Sequence, residues 1–470
     1  MQKPIKTIVS AAVVALMASS TANAGSFSLY TESSGRAIGN YAAGIAAEAA
    51  DASTGWYNPA GLALIHEKQV VFGGVGVFPS TKLTGLSSFN TTGSPSYVQT
   101  IDGLQGGKDA LVPSSHFAIP LGESATFGFS LVSPFGLLTD WFKESPIRYA
   151  ATISQLVTTN ISPEIGGKLT EHLAVGAGID LQYARVTFNR MLGLPTATQF
   201  SPLLASYLDS MSVNKGTSFG VGFHAGVMGM FNDNHSRIGF NYLSKMRHKF
   251  NGWSRLTGRL ASLPPTITQA ALIATLNADT AFWSNNLSSN NIELPEIATL
   301  SGYQDINEKL ALLGSVVYTG WNSLRTIQLN NVAAFASGVG QTKVNSVSEQ
   351  HYRNAWRFAL GANYLFNEKL MIRVGTGYDQ TPTRDTFRDV RVPDSNRWAA
   401  SVGVHYQYKP TLGLDLGYTH LFAQQGRINR SDIAGATSVY TVNARINAYA
   451  DLVGLQATWV LDAPVPVATK

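Results

Sequence analysis

Gly216-Thr217-Ser218-Phe219-Gly220 is the run whose residue types and spacing come nearest to a catalytic signature. A G-x-S-x-G sequence can present a nucleophilic serine on a strained strand-to-helix turn, where acyl transfer becomes possible. The flanking residues do not supply that turn. Alternation continues through Val221, Phe223, Ala225 and Val227 as an unbroken strand. The nine histidines are scattered, neither an HExxH nor a P-loop pattern occurs, and with no cysteine neither a disulfide nor a thiolate metal site can form. The sequence therefore implies no catalysis, no metal and no cofactor. The enzyme-class alternative is a phospholipase with a Ser/His pair at a lipid-facing rim.

A second kind of chemistry, capture of an apolar ligand, is suggested by two stripes. Phe200, Leu203, Leu204, Tyr207, Leu208 and Met211 recur at helical spacing within segment 191–214. In segment 251–293, Pro264-Pro265 opens a run holding Ile267, Ala270, Ala271, Ile273, Ala274 and Leu276, followed by Phe282-Trp283. Proline suits the first turn of a helix, where its missing N–H is not needed. These helices have no core beneath them, so they pack on each other or offer a greasy surface to a ligand. The two readings are compatible and both stay open.

The elements that must position these segments are strands. Charged residues make up only 13% of the 470, aromatics 10%, and there are 44 glycines, which excludes a disordered chain. No apolar run reaches the length of a membrane helix. Apolarity is instead dispersed at period two. Leu370, Ile372, Val374, Thr376 and Tyr378 share one face of a strand, and Met371, Arg373, Gly375, Gly377 and Asp379 the other. Leu173 to Tyr183, Trp356 to Phe366 and Trp398 to Tyr408 alternate likewise, with aromatics near their ends. Such strands, ten residues or longer, fit a wall facing lipid on one side. Short polar turns fall at Gly122-Glu123, 170–172, 232–234, 305–308, 367–369 and 409–411. Long segments lie near 80–112, 141–150, 191–214, 251–293, 323–351, 381–395 and 426–446. Six turns and seven loops require fourteen antiparallel strands, so the expected fold is an all-β transmembrane barrel spanning 67–461.

The N-terminus carries an export signal. Lys3 and Lys6 precede an apolar run from Ile8 to Ala18 and the small residues Ala22-Asn23-Ala24, which reads as a signal peptide over 1–24. A net charge of +5 is too mild to argue for nucleic acid, and the envelope of a bacterium is the implied destination. Residues 25–66 are rich in small residues and not strand-like. They are too short to fold alone and are best housed in the lumen as a helical hatch. A nine-residue tail, 462–470, follows the last strand.

Asp51-Ala52-Ser53-Thr54 with Tyr57-Asn58-Pro59-Ala60-Gly61-Leu62 resembles the hatch of the FadL-type outer-membrane long-chain fatty-acid transporters (OMPP1/FadL/TodX). The resemblance continues through Pro113-Ser114-Ser115-His116, Ser133-Pro134-Phe135-Gly136-Leu137, His248-Lys249-Phe250-Asn251-Gly252 and Trp321-Asn322-Ser323. Further along it takes in Trp356-Arg357, Asp379-Gln380-Thr381-Pro382, and Val392-Pro393-Asp394 with Arg397-Trp398. It covers about 33–461, and it implies a fourteen-stranded barrel plugged by a hatch. It also implies passive uptake of a hydrophobic molecule, a long-chain fatty acid first, by a single chain in the outer membrane. A monoaromatic hydrocarbon such as toluene is the second candidate, and a non-transporting adhesin or phage receptor the third. By the same resemblance the ligand carboxylate meets basic residues inside the barrel. The matching strand, Tyr183 to Arg190, offers Arg190 with Arg185 behind it.

The third strand alternates from Thr126 to Leu131 and then reaches Pro134, Phe135 and Gly136. Proline has no N–H for the ladder, and glycine permits a bend. Either this point lies in the extracellular rim or, as the resemblance implies, the strand kinks inward and leaves a gap towards the bilayer. In that case Asn58, Pro59 and Ala60 of the hatch are expected to sit against the kink.

Overall fold

The computed structural model describes residues 27–461 apart from 197–207, 267, 269, 272–273, 276–280, 337 and 436. The expected signal peptide and the C-terminal tail fall outside the described residues.

Fourteen antiparallel strands form one closed ring. They are β1 (Gln69–Thr91), β2 (Tyr97–Gln105 and Ala110–Pro120), β3 (Ala125–Val132 and Gly136–Asp140), β4 (Ile153–Thr170) and β5 (Leu173–Leu192). Next come β6 (Ser210–Phe231), β7 (Ser236–Leu243 and Met246–Gly258), β8 (Ala281–Leu294 and Ile297–Asp305), β9 (Leu310–Thr319 and Thr326–Ala336) and β10 (Gly340–Glu349 and Ala355–Asn367). The last four are β11 (Leu370–Asp379), β12 (Arg397–Lys409), β13 (Leu412–Ala423 and Gly426–Gly435) and β14 (Ser438–Val460). Each pairs with its neighbour in chain order. The pairs from Gln69↔Val460 to Thr91↔Ser438 join β14 back to β1. Closure leaves no edge, the condition a sheet must meet in lipid.

Burial is inverted relative to a water-soluble protein. Ile179, Phe219, Val221, Leu360 and Trp398 are exposed on the outer face, whereas Gln182, Asn160, His224 and Asn241 are fully buried within. The six short turns lie where expected. Three of the long segments are not loops, and a fourth, 251–293, expected as a helical loop, is strand over its first eight and last thirteen residues. Segments 80–112, 323–351 and 426–446 fold as the upper parts of β1–β2, β9–β10 and β13–β14. Above the membrane the outward face turns polar while residues such as Leu83, Ile101, Leu329, Val332, Ile428 and Val442 stay buried on the inner one, so the lipid-facing alternation fades although the ladder continues.

Residues Phe27 to Ile65 fill the lumen as five turns of helix, none longer than six residues: Thr31–Ser33, Arg36–Asn40, Ile45–Glu48, Thr54–Tyr57 and Pro59–Leu64. Nearly all are buried. Asn58 explains much of the Asn-Pro-Ala signature. Its side-chain oxygen caps the last turn at the Ala60 N–H (3.1 Å), and its amide donates to the carbonyls of Ala46 (2.7 Å) and Val227 (3.1 Å). One residue thus closes a turn, joins two hatch segments and ties both to β6. On the other side Gln456 of β14 accepts from the Ser34 hydroxyl (2.8 Å) and donates to Asp51 (2.9 Å). Arg36 pairs with Glu48 and, at 3.6 Å, with Asp51. His116 Nε2 lies 3.1 Å from the Ser33 carbonyl, and its Nδ1 is 2.8 Å from Ser130 Oγ.

The hatch backbone rests on glycine. A Cβ at Gly166 would run into the Pro59 carbonyl, and one at Gly454 into that of Gly35. Gly166→Leu is therefore expected to unseat the hatch while the β4 ladder persists. Planar-bilayer recording should then show steady ion conductance that the native protein lacks. A silent, assembled variant would show that the hatch does not depend on this contact.

Candidate functional site

Above the hatch the lumen opens into a cavity. Its wall is apolar, with Leu156, Val186, Phe250, Leu294, Leu329 and Val332 contributed by β4, β5, β7, β8 and β9. These residues face inward because each stands on the luminal parity of its strand. Two guanidinium groups, Arg190 of β5 and Arg391 of the segment before β12, also line it. Arg391 is held by Asp389 at 2.8 Å. Burial pushes the Asp389 carboxyl up, but Arg391 and Arg430 beside it outweigh that and hold it below the usual carboxylate range. Arg190 forms no ion pair among the described residues. Asp432 acts on Arg190 without pairing with it, while burial and Arg391 oppose its charge; a cation so placed is costly unless a ligand supplies the counter-charge.

The cavity ends at Phe27. Its ring meets Trp321 at 4.5 Å and Phe135 at 6.4 Å, and Trp321 meets Tyr352 at 5.8 Å. This aromatic floor stands at the break in β3. Pairing of β2 with β3 stops at Ser115↔Leu131 and returns only as an isolated contact, Gly107↔Thr139. Along Val132–Leu138 β3 therefore lacks its barrel neighbour on that side. The N-terminal segment takes the place. Leu29 N–H donates to the Pro134 carbonyl and Gly136 N–H to the Phe27 carbonyl, both at 2.8 Å, around the antiparallel pair Ser28↔Phe135. Phe135 N–H goes to the Thr158 hydroxyl of β4 at 3.0 Å.

The expected site residues thus divide. Arg190 faces the cavity. Arg185 does not. Five residues apart on a strand of period two, the pair must point to opposite faces, and Arg185 is exposed on the outer wall. Pro134, Phe135 and Gly136 do interrupt β3. Asn58, Pro59 and Ala60 are not at that interruption, since they pack on the glycines of β4 to β7, among them Gly166, Gly176 and Gly226. The segment that fills the break begins at Phe27, and its only signal was the short alternation Ser26-Phe27-Ser28-Leu29. Phe200, Leu203, Leu204, Tyr207, Ile267 and Leu276 lie outside the described residues. Leu208 is buried against Leu256, Leu260 and Leu263, so that end of the first loop packs on the second. Ser218 of the G-x-S-x-G run sits in the middle of β6, opposite Ala184, with no turn to expose it. Trp321 was marked only by the resemblance at Trp321-Asn322-Ser323, and Tyr352 and Arg391 had no local signal beyond their residue type.

A plugged barrel with an outward apolar belt and an apolar cavity above the plug defines an outer-membrane channel for hydrophobic compounds. Over residues 15–460 the chain matches the family described as outer membrane protein transport protein (OMPP1/FadL/TodX), and it belongs to that family. Outer membrane protein P1 of Haemophilus influenzae is 30% identical, with 95% of this chain and 98% of that protein covered. The long-chain fatty acid transport protein of Salmonella typhi is 26% identical over 91% of this chain and 94% of its own. A Pseudomonas aeruginosa FadL homologue of known structure superposes with a TM-score of 0.77, at 22% identity, covering 93% of this chain and all of that one. The Pseudomonas putida toluene transporter TodX superposes at 0.60, with 14% identity and 86% and 93% coverage. These two likenesses concern the fold alone. The family is one of transport channels.

Proposed function

We propose that this protein carries long-chain fatty acids passively across the outer membrane, as a single chain without catalysis. The observation that carries the choice of ligand is Arg190, without an ion pair among the described residues, beside Arg391 in a cavity whose remaining wall is mostly apolar and holds no acid. An apolar wall alone suits toluene as well as an acyl chain. A cation awaiting a counter-ion favours a ligand with a carboxylate head.

The physical difficulty for such a channel is release. Burying a CH₂ gains roughly 0.8 kcal/mol, so a sixteen-carbon tail could gain more than about 10 kcal/mol gross. Graded sites avoid a permanent trap: first the apolar loops, then the cavity, then an exit. Phe27 belongs to the cavity floor and also to the segment that occupies the break in β3. Displacing that segment would open the floor sideways towards the bilayer. Lateral release also spares the alkyl chain a passage through the aqueous periplasm.

Arg190→Ala tests the ligand class. Loss of a charge-assisted hydrogen bond of about 1.5–3 kcal/mol should weaken binding of oleate roughly ten- to a hundred-fold. Binding of methyl oleate, which has the same tail and no charge, should change little. Equal losses for acid and ester would reject the carboxylate reading and favour a neutral hydrocarbon.

A further inference from the structure

The outer wall carries unpaired positive charge where its apolar belt ends. On β5 the outward face runs Ile179, Leu181, Tyr183 and then Arg185. On β6 it runs Phe223, Val221, Phe219 and then Thr217 and Lys215. Arg185 stands opposite Thr217, and Thr217 opposite Asn251 of β7, so these three form one row across three strands. Lys215 is one outward position above Thr217, and Lys249 one outward position below Asn251; both are exposed. Diagonal neighbours on a sheet lie about 7–8 Å apart, so three long cationic side chains can converge over the Thr217 hydroxyl.

None of the three has an acidic partner among the described residues; Lys215 rests over the Trp253 ring at 5.5 Å, a contact that leaves its charge without a counter-ion. Nearby cations on the same strand are engaged. Arg247 and Lys245 both pair with Glu293, at 2.7 and 3.6 Å. Arg255 donates to Ser284 at 3.2 Å and lies over Trp253 and Phe282. The height of the cluster also matters. Arg185 is twelve residues along β5 from Leu173, which at about 3.3 Å per residue and a tilt near 40° is roughly 30 Å, just past an apolar band about 25 Å tall. Cations are costly at the bilayer midplane and cost little at its surface, which is the level of lipid headgroups.

We propose that Arg185, Lys215 and Lys249, with the Thr217 hydroxyl and the Asn251 amide, hold the phosphate of a phosphorylated lipid in the outer leaflet. The occupant is a lipid and not free phosphate because Tyr183, Phe219 and Val221 lie directly beneath, at the depth its acyl chains would occupy. A guanidinium and two ammonium groups supply the donors, and each cation near a lipid surface adds about a fivefold gain in affinity.

The test is native mass spectrometry of the full chain in mild detergent, with lipid A, dephosphorylated lipid A and inorganic phosphate as probes. The native protein should retain lipid A, not the dephosphorylated form, and millimolar inorganic phosphate should displace little of it. The triple variant Arg185→Gln, Lys215→Gln, Lys249→Gln should retain roughly a hundredfold less, and Arg255→Gln the native amount. The single variants Lys215→Gln and Lys249→Gln, each expected to lose about fivefold, serve if the triple variant does not assemble. Equal retention by native and variant proteins, equal retention of both lipids, or full displacement by inorganic phosphate would each overturn the proposal.

Discussion

Replacing both Val186 and Leu294 by tryptophan is expected to weaken fatty-acid binding at least a hundredfold and to reduce uptake in proportion. Both side chains are buried in the wall of the luminal cavity, on β5 and β8. Two indoles in their place would occupy the room of several methylene groups of the ligand. Excluding about four of them forfeits roughly 3 kcal/mol, which is more than a hundredfold in affinity. Overpacking normally strains a core, but here the new rings point into the open lumen and not into packed side chains. The barrel should therefore assemble and run as a folded species on an unheated gel. Binding measured by calorimetry with oleate checks the first effect, and uptake of labelled oleate by cells checks the second. An assembled variant with native affinity would place the ligand elsewhere.

The wall was legible in the sequence because lipid imposes period two on every strand that crosses it. Val374 outward and Arg373 inward needed no structure to assign. The same rule, applied strictly, separates Arg190 from Arg185, since an odd interval on one strand cannot place two side chains on one face. The alternation stops being informative above the membrane. Gly340–Glu349 is a strand, yet its two valines, Val344 and Val347, fall on opposite faces among polar residues, so no apolar face marks it.

Lumen contacts were less legible, for a different reason. Proline at 134 announced a break in β3, but what fills a break is decided by residues far away in the chain. Phe27 and Gly136 are bonded in the fold but far apart in the chain, and no local pattern links them. The Asn-Pro-Ala run misled in the same way. It is conspicuous because Asn58 makes three hydrogen bonds at one point, and its glycine partners on β4 to β7 are anonymous in sequence. The apolar stripes of the two loops indicated where a ligand could first be caught. Of the first stripe's described members, Leu208 packs on the second loop and Met211 belongs to β6.

Lateral release can be tested by locking the N-terminal segment onto β3. The chain has no cysteine, so Ser28→Cys with Phe135→Cys introduces the sole pair. The two hydrogen bonds around Ser28↔Phe135 make it a non-hydrogen-bonded antiparallel pair, with a Cα separation near 4.5 Å, inside the range a disulfide spans. Uptake of labelled oleate is measured in the oxidised and the reduced double variant, with ligand binding followed in parallel. The oxidised protein should still bind oleate but fail to pass it on, and reductant should restore transport. Equal uptake in both states would contradict release at the β3 break and send the ligand through the hatch instead.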